Sequence, residues 1–169
     1  EDALAASNLL WLALLMASLY GLGTRLGGRW VGVLAAAVVC LYPSIFGNLR
    51  PHEPNLALTA LGAAAIWALA GSRHLTRTGP TLGFAAAMAA GLLTDRVSMA
   101  PLMAVPATAA LVAGLRRPGA AGRGGVLLRA GIALALIAVA CGYFYWNFAT
   151  LHAGEIAGQV GGEIDAQGA

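Results

Sequence analysis

Six long apolar stretches, separated by short polar segments, dominate the chain. They cover approximately residues 4–22, 30–46, 55–70, 80–93, 97–115 and 126–148. They are rich in Ala and Leu and lack the alternation of apolar and polar positions that marks a half-buried strand. The pattern therefore predicts an all-α fold, a polytopic bundle of about six transmembrane helices.

The length of each stretch indicates how well it suits a bilayer. A helix needs about 20 residues to cross, with a usual range of about 17 to 25. The first, second, fifth and sixth stretches qualify, and the third is marginal. The fourth, residues 80–93, is short enough to lie against protein without spanning fully.

Composition favours lipid as the solvent of this chain. The 169 residues are 59% hydrophobic and 10% charged, whereas a soluble domain is about a quarter charged. Too few polar residues remain to cover so much apolar surface in water. The ten basic residues are all Arg and lie in short loops between apolar runs, so membrane orientation explains them better than a nucleic-acid partner.

Arginine is distributed unevenly between alternate loops. Arg50 and Arg96 are alone in the second and fourth loops. The first, third and fifth loops carry the other eight: Arg25, Arg29, Arg73, Arg77, Arg116, Arg117, Arg123 and Arg129. By the positive-inside rule the first, third and fifth loops, which carry eight arginines, are cytoplasmic. Both chain ends then lie outside. The expected location is the bacterial cytoplasmic (inner) membrane.

The domain organisation expected is one transmembrane helical domain over residues 1–150, followed by an external Gly-rich tail or the start of a loop over 151–169. The chain begins with Glu1 rather than Met, and no signal peptide is predicted, so we expect a longer protein. Cys40 and Cys141 lie within apolar runs and suit packing. Gly28 and Gly32 have the small-xxx-small spacing that permits close helix approach.

The stretch GNLRPHEPNL, residues 47–56, concentrates polar side chains between two apolar runs. Pro51 and Pro54 keep it outside the neighbouring helices. Arg50 is suited to binding phosphate through paired hydrogen bonds. Glu53 is suited to accepting a proton or holding a sugar hydroxyl. The alternative is an ordinary polar loop that precedes a Pro-initiated helix.

A second polar cluster, in GLLTDRVS, lies on the same predicted side. Arg96 is a candidate for a phosphate or sugar contact, with Asp95 beside it. The alternative is a turn in which Thr94 or Ser98 caps the following helix. The aromatic run YFYWNF, residues 143–148, is typical of an interfacial belt. The three histidines are far apart in sequence, and no metal site is predicted.

Three stretches together resemble the membrane glycosyltransferases of the GT-C superfamily, in particular the protein mannosyltransferase and aminoarabinose transferase group. They are YGLGTRLGGRWVGVLAAAVVCLYPSIF (20–46), LRPHEPNLALTALGAAAIWAL (49–69) and GLLTDRVSMAPLMAVPA (91–107). In the third, the family often has Gly-Leu-x-x-Leu-Thr-Lys, and this chain has Asp95 and Arg96 where the lysine is expected.

The resemblance implies a sugar transferase that uses a polyprenyl-phosphate carrier at the outer membrane face. It implies that Glu53 is the catalytic acid of the second outer loop, and that Arg50 lies near the carrier phosphate. It also implies substrate contacts at Arg96 and Asp95. The family's main catalytic acid lies in a first outer loop, which would precede Glu1.

Two further functions remain open on the sequence. One is a non-catalytic subunit of a larger complex, built on a degenerate transferase scaffold and bound to other membrane subunits. The other is a transporter segment, which predicts intramembrane charges or broken helices in matched halves; neither pattern occurs here. The sequence does not identify a cofactor, the sugar or the acceptor.

Overall fold

The computed structural model describes residues 2–41, 55–116 and 122–167. Within those ranges the chain forms six α-helices and no strand, so the predicted all-α class is confirmed. The helices are α1 (Asp2–Gly27), α2 (Arg29–Leu41), α3 (Asn55–Gly71), α4 (Thr78–Thr94), α5 (Arg96–Arg116) and α6 (Gly122–Gln167). α6 continues as helix through residues 151–167, where we had expected a tail or loop; a separate external segment there stays a prediction.

Three of the described helices are long and apolar enough to cross a membrane, which is fewer than the number of about six that the sequence predicts. The spans are Asn8–Gly27, Ser98–Arg116 and Gly122–Asn147. α3 and α4 have 17 residues each. At about 1.5 Å per residue they reach about 26 Å, less than the hydrocarbon thickness of about 30 Å.

α1 and α2 form a tight antiparallel hairpin. Gly28 makes the turn with a φ of 88°, a conformation that favours glycine. A Cβ on Gly23 would lie 2.7 Å from the Cα of Gly32, so the two helices cross with their backbones in close approach. Gly32 therefore packs as its spacing predicted, whereas Gly28 serves the turn and has no neighbour within 4 Å of an added Cβ.

α3 lies parallel to α1, and α4 returns antiparallel to α3. Leu15 of α1 clusters with Leu56 and Ala60 near the start of α3. Trp67, near the other end of α3, packs on Gly21 of α1. These two contacts, six residues apart on α1 and eleven apart on α3, set the helices side by side in the same direction.

A second core joins α3, α4, α5 and α6. Its buried members are Ala65, Leu69, Leu75, Phe84, Met99, Met103 and Val126. Met99, in the first turn of α5, fills the space above Gly91 of α4, where a Cβ would lie 2.7 Å from the methionine Cε. α5 therefore returns along α3 and α4 directly after the short break at Asp95.

The turn between α3 and α4 contains three consecutive left-handed residues. Arg73, His74 and Leu75 have φ values of 49°, 62° and 65°, a conformation that costs roughly 1–2 kcal/mol per non-glycine residue. Ser72 holds the turn: its buried Oγ accepts from the Leu75 amide at 3.0 Å and donates to the Leu69 carbonyl at 2.6 Å. Leu75 is thereby directed into the core, while Arg73 and His74 stay exposed.

The topology gathers the described basic loops at one end of the bundle. This arginine end comprises Arg25, Arg29, Arg73, Arg77, Arg116, Arg123 and Arg129. Its elements are tied together: Arg129 Nε donates to the Thr78 hydroxyl at 3.2 Å, and Arg123 Nε to the Leu115 carbonyl at 3.3 Å. The opposite end, here the distal end, holds Leu41, Asn55 and Asp95.

Candidate functional site

Arg50 and Glu53, the main candidates from the sequence, lie outside the described residues. The described chain on either side of them lies at the distal end. Cys40, one residue before α2 ends, has its sulfur 3.5 Å from that of Met16 in α1. Leu56, in the first turn of α3, clusters with Leu15. Both flanks of the candidate segment thus meet adjacent positions of α1.

Asp95 caps helix α5. Its carboxylate accepts from the Ser98 amide at 3.4 Å and from the Ser98 hydroxyl at 2.6 Å. An acceptor on the residue before a helix, bonded to the amide three residues later, is the usual N-cap arrangement. The expectation that Thr94 or Ser98 would cap this helix is therefore wrong: Thr94 bonds back to the Ala90 carbonyl of α4.

Arg96 is the first residue of α5, so its backbone belongs to the distal end. Its side chain is outside what the structure describes. Arg96 follows the cap residue directly in the chain, and a substrate contact from either residue stays a prediction. The helix topology thus places Asp95 and the backbone of Arg96 at the same end of the bundle as the described flanks of the Arg50–Glu53 segment.

The aromatic run of α6 reaches the same end. The Tyr145 hydroxyl donates to the Leu92 carbonyl at 2.9 Å, which joins α6 to the last turn of α4. Tyr143 and Trp146 are 76% and 73% exposed, as residues of an interfacial belt are expected to be. Within this run, Tyr145 therefore joins α6 to α4, whereas Tyr143 and Trp146 are exposed on the surface.

An apolar cavity lies between α1, α2, α3 and α5, and extends from Leu58 near the distal end to Leu22 and Ile66. This distal cavity has a volume of about 370 Å³. Its walls include Leu15, Leu19, Leu58 and Leu102. Its one polar wall residue, Thr59, already donates its hydroxyl to the Asn55 carbonyl at 2.7 Å. Such walls suit a hydrocarbon chain and offer little to a sugar.

Comparison of the chain with protein-family models, curated proteins and solved structures finds no match. The likeness to GT-C transferases therefore rests on the three sequence stretches that carry it.

The sequence predicts for Arg73 and Arg116 only a part in orientation in the membrane, and for His74 no role. The structure brings all three to cavities beside α5 at the arginine end. The signal available in the sequence was faint: Ala109 and Ala113, four residues apart, leave one side of α5 with little bulk. That spacing is common in so Ala-rich a chain, so only the tertiary structure distinguishes it.

Proposed function

We propose that this protein is an integral membrane glycosyltransferase of the GT-C type, which moves a sugar from a polyprenyl-phosphate carrier to an acceptor. The reaction would take place at the distal end. The supporting observation is that Asp95 and the described flanks of the Arg50–Glu53 segment share this end, opposite the seven arginines of the arginine end. By the positive-inside rule the distal end faces outward, across the bacterial cytoplasmic membrane.

The proposed reaction breaks the bond between the sugar C1 and the carrier phosphate oxygen, and forms a bond from C1 to the acceptor oxygen. Glu53 takes the proton of the acceptor hydroxyl as general base. Arg50 and Arg96 stabilise the negative charge on the departing phosphate. The distal cavity, with its leucine walls, is suited to hold part of the prenyl chain.

The second candidate function is a non-catalytic membrane subunit of a larger complex. The observation that favours it concerns Asp95, whose carboxylate is engaged by the amide and hydroxyl of Ser98. That arrangement serves the structure of α5 without any substrate. A scaffold that kept its helices and lost its chemistry would retain this cap.

Transfer from a polyprenyl-phosphate sugar, assayed with the full-length protein in proteoliposomes, tests the proposal. Glu53→Gln removes the base, and we expect a loss of about 10²–10⁴-fold in kcat. Arg50→Ala removes phosphate stabilisation, with an expected loss of about 10²–10³-fold. His52→Gln changes the residue between them and should retain the wild-type rate.

Wild-type rates in both Glu53→Gln and Arg50→Ala would remove these residues from the mechanism. A wild-type protein that transfers no sugar and co-purifies with stable membrane partners would instead support the non-catalytic subunit.

A further inference from the structure

A groove runs between α3 and α5 at the arginine end, away from the proposed transferase site. This arginine groove has a volume of about 750 Å³. Ile66, Leu69 and Ala70 of α3 form one wall, and Pro106 and Ala109 of α5 contribute to the other. Its lining along the two helices is apolar, so the groove suits a hydrocarbon chain.

The groove continues around α5 toward the last turn of that helix. An adjoining cavity of about 650 Å³ shares His74, Ala109 and Ala113 with it and reaches Arg116. The alanines keep this face of α5 shallow. Gly114, next in the chain, holds α5 against the carbonyl of His74, so the α3–α4 turn is fixed at the end of the groove.

Three basic side chains lie at this end: Arg73 and His74 line the groove, and Arg116 lines the adjoining cavity. Arg73 and His74 come from the left-handed turn and Arg116 from the end of α5, and all three are exposed. The guanidinium groups of Arg73 and Arg116 make no hydrogen bond or ion pair with any other described residue. The single acid whose side chain is described, Asp95, lies at the distal end.

Other arginines at this end are already engaged by the protein. Arg25 donates to the Trp67 carbonyl, Arg123 to the Leu115 carbonyl and Arg129 to the Thr78 hydroxyl. The guanidinium groups of Arg73 and Arg116 therefore stand apart, because they combine exposure with a place beside an apolar groove. Guanidinium groups bind phosphate through two parallel hydrogen bonds.

We propose that the arginine groove binds an anionic phospholipid of the surrounding bilayer, with its phosphate between Arg73 and Arg116 and an acyl chain along α3 and α5. Charge complementarity supports this occupant, since the groove and its adjoining cavity offer Arg73 and Arg116 at one end and apolar walls beyond them. Basic pockets between transmembrane helices bind anionic lipid headgroups in this way. The site is separate from the proposed transferase chemistry and does not depend on it.

The test compares the association of spin-labelled phosphatidylglycerol and phosphatidylcholine with the full-length protein in nanodiscs. We expect Arg73→Gln and Arg116→Gln each to reduce the preference for phosphatidylglycerol by about fivefold, because each removes a direct charged contact with the lipid phosphate. Arg29→Gln and Arg77→Gln remove the same charge at the same end without lining the groove. They should leave the preference within about twofold of wild type.

A second pair of variants tests the acyl chain without changing charge. Ala109→Leu fills both cavities and should displace phosphatidylglycerol, whereas Ala104→Leu, exposed on the same helix and outside both, should not. Equal losses in the groove variants and their controls would overturn the proposal. So would stronger competition by a polyprenyl phosphate than by unlabelled phosphatidylglycerol, or occupation of the groove by a protein helix.

Discussion

Arg25 of α1 and Trp67 of α3 are joined by two contacts at the arginine end. The Arg25 Nη1 donates to the Trp67 carbonyl at 3.0 Å. The guanidinium carbon of Arg25, Cζ, also lies 5.7 Å from the centroid of the Trp67 ring, within cation–π range. Gly71 gives the guanidinium room, because a Cβ there would meet it. One side chain thus fixes the end of α1 against the last turns of α3.

Replacing Arg25 should therefore loosen the α1–α3 contact. We expect Arg25→Met to lower the free energy of unfolding by about 1–3 kcal/mol, through the loss of a charged hydrogen bond and a cation–π contact. Chemical denaturation in detergent micelles measures the change. Arg29→Met, four residues on, removes an exposed arginine that has no hydrogen bond in the described part of the chain. If Arg25→Met and Arg29→Met lowered the free energy of unfolding equally, the loss would be due to net charge rather than to the contacts of Arg25.

Gly114 should tolerate no side chain. A Cβ there would collide with the His74 carbonyl and lie 3.1 Å from a Val126 methyl. We expect Gly114→Ala to destabilise the protein by about 1–3 kcal/mol through overpacking. Gly131→Ala in α6 is the matched control, because nothing lies within 4 Å of its added Cβ. That change should be neutral, or stabilising by up to about 1 kcal/mol through helix propensity. Thermal unfolding of the two variants would show whether the turn and α5 are in direct contact.

Two substitutions at Asp95 can distinguish a structural role of its carboxylate from a role in sugar transfer. Asp95→Ala removes the cap of α5 and should cost about 0.5–2 kcal/mol, whereas Asp95→Asn keeps a capping oxygen and should cost little. If Asp95 also contacts substrate through its charge, Asp95→Asn should reduce sugar transfer at unchanged stability. Unfolding and transfer measured on the same preparations distinguish the two roles. Transfer that merely follows stability across both variants would leave Asp95 with the cap alone.

Helix positions followed closely from the apolar pattern. The fifth stretch, predicted over 97–115, is α5 over Arg96–Arg116, and the third, predicted over 55–70, is α3 over Asn55–Gly71. Long apolar runs have few alternatives, because lipid requires backbone groups to be bonded within the segment. The number of candidate spans differs from the prediction: four stretches are long enough by sequence, and the second of them, predicted over 30–46, is described as helix only to Leu41.

The candidate site was predictable only as far as its end of the bundle. The arginine count separated Asp95 and Arg96 from the basic loops, and antiparallel helices joined by short turns produce that separation. The cap on α5 was misassigned because Thr94, Asp95 and Ser98 are all capping residues by type. Backbone geometry decided among them: Asp95 has an extended conformation between two helices, with φ of −152° and ψ of 103°.

The sequence by itself determined a helical chain suited to lipid, with its arginines concentrated in alternate loops. These properties depend on local composition and period, which each segment carries alone. Tertiary structure decided the left-handed turn held by Ser72, the close approach of Gly23 and Gly32, and the adjoining cavities that Arg73 and Arg116 line. Each of those requires residues distant in the chain to meet, and their packing, rather than their own preferences, selects the conformation.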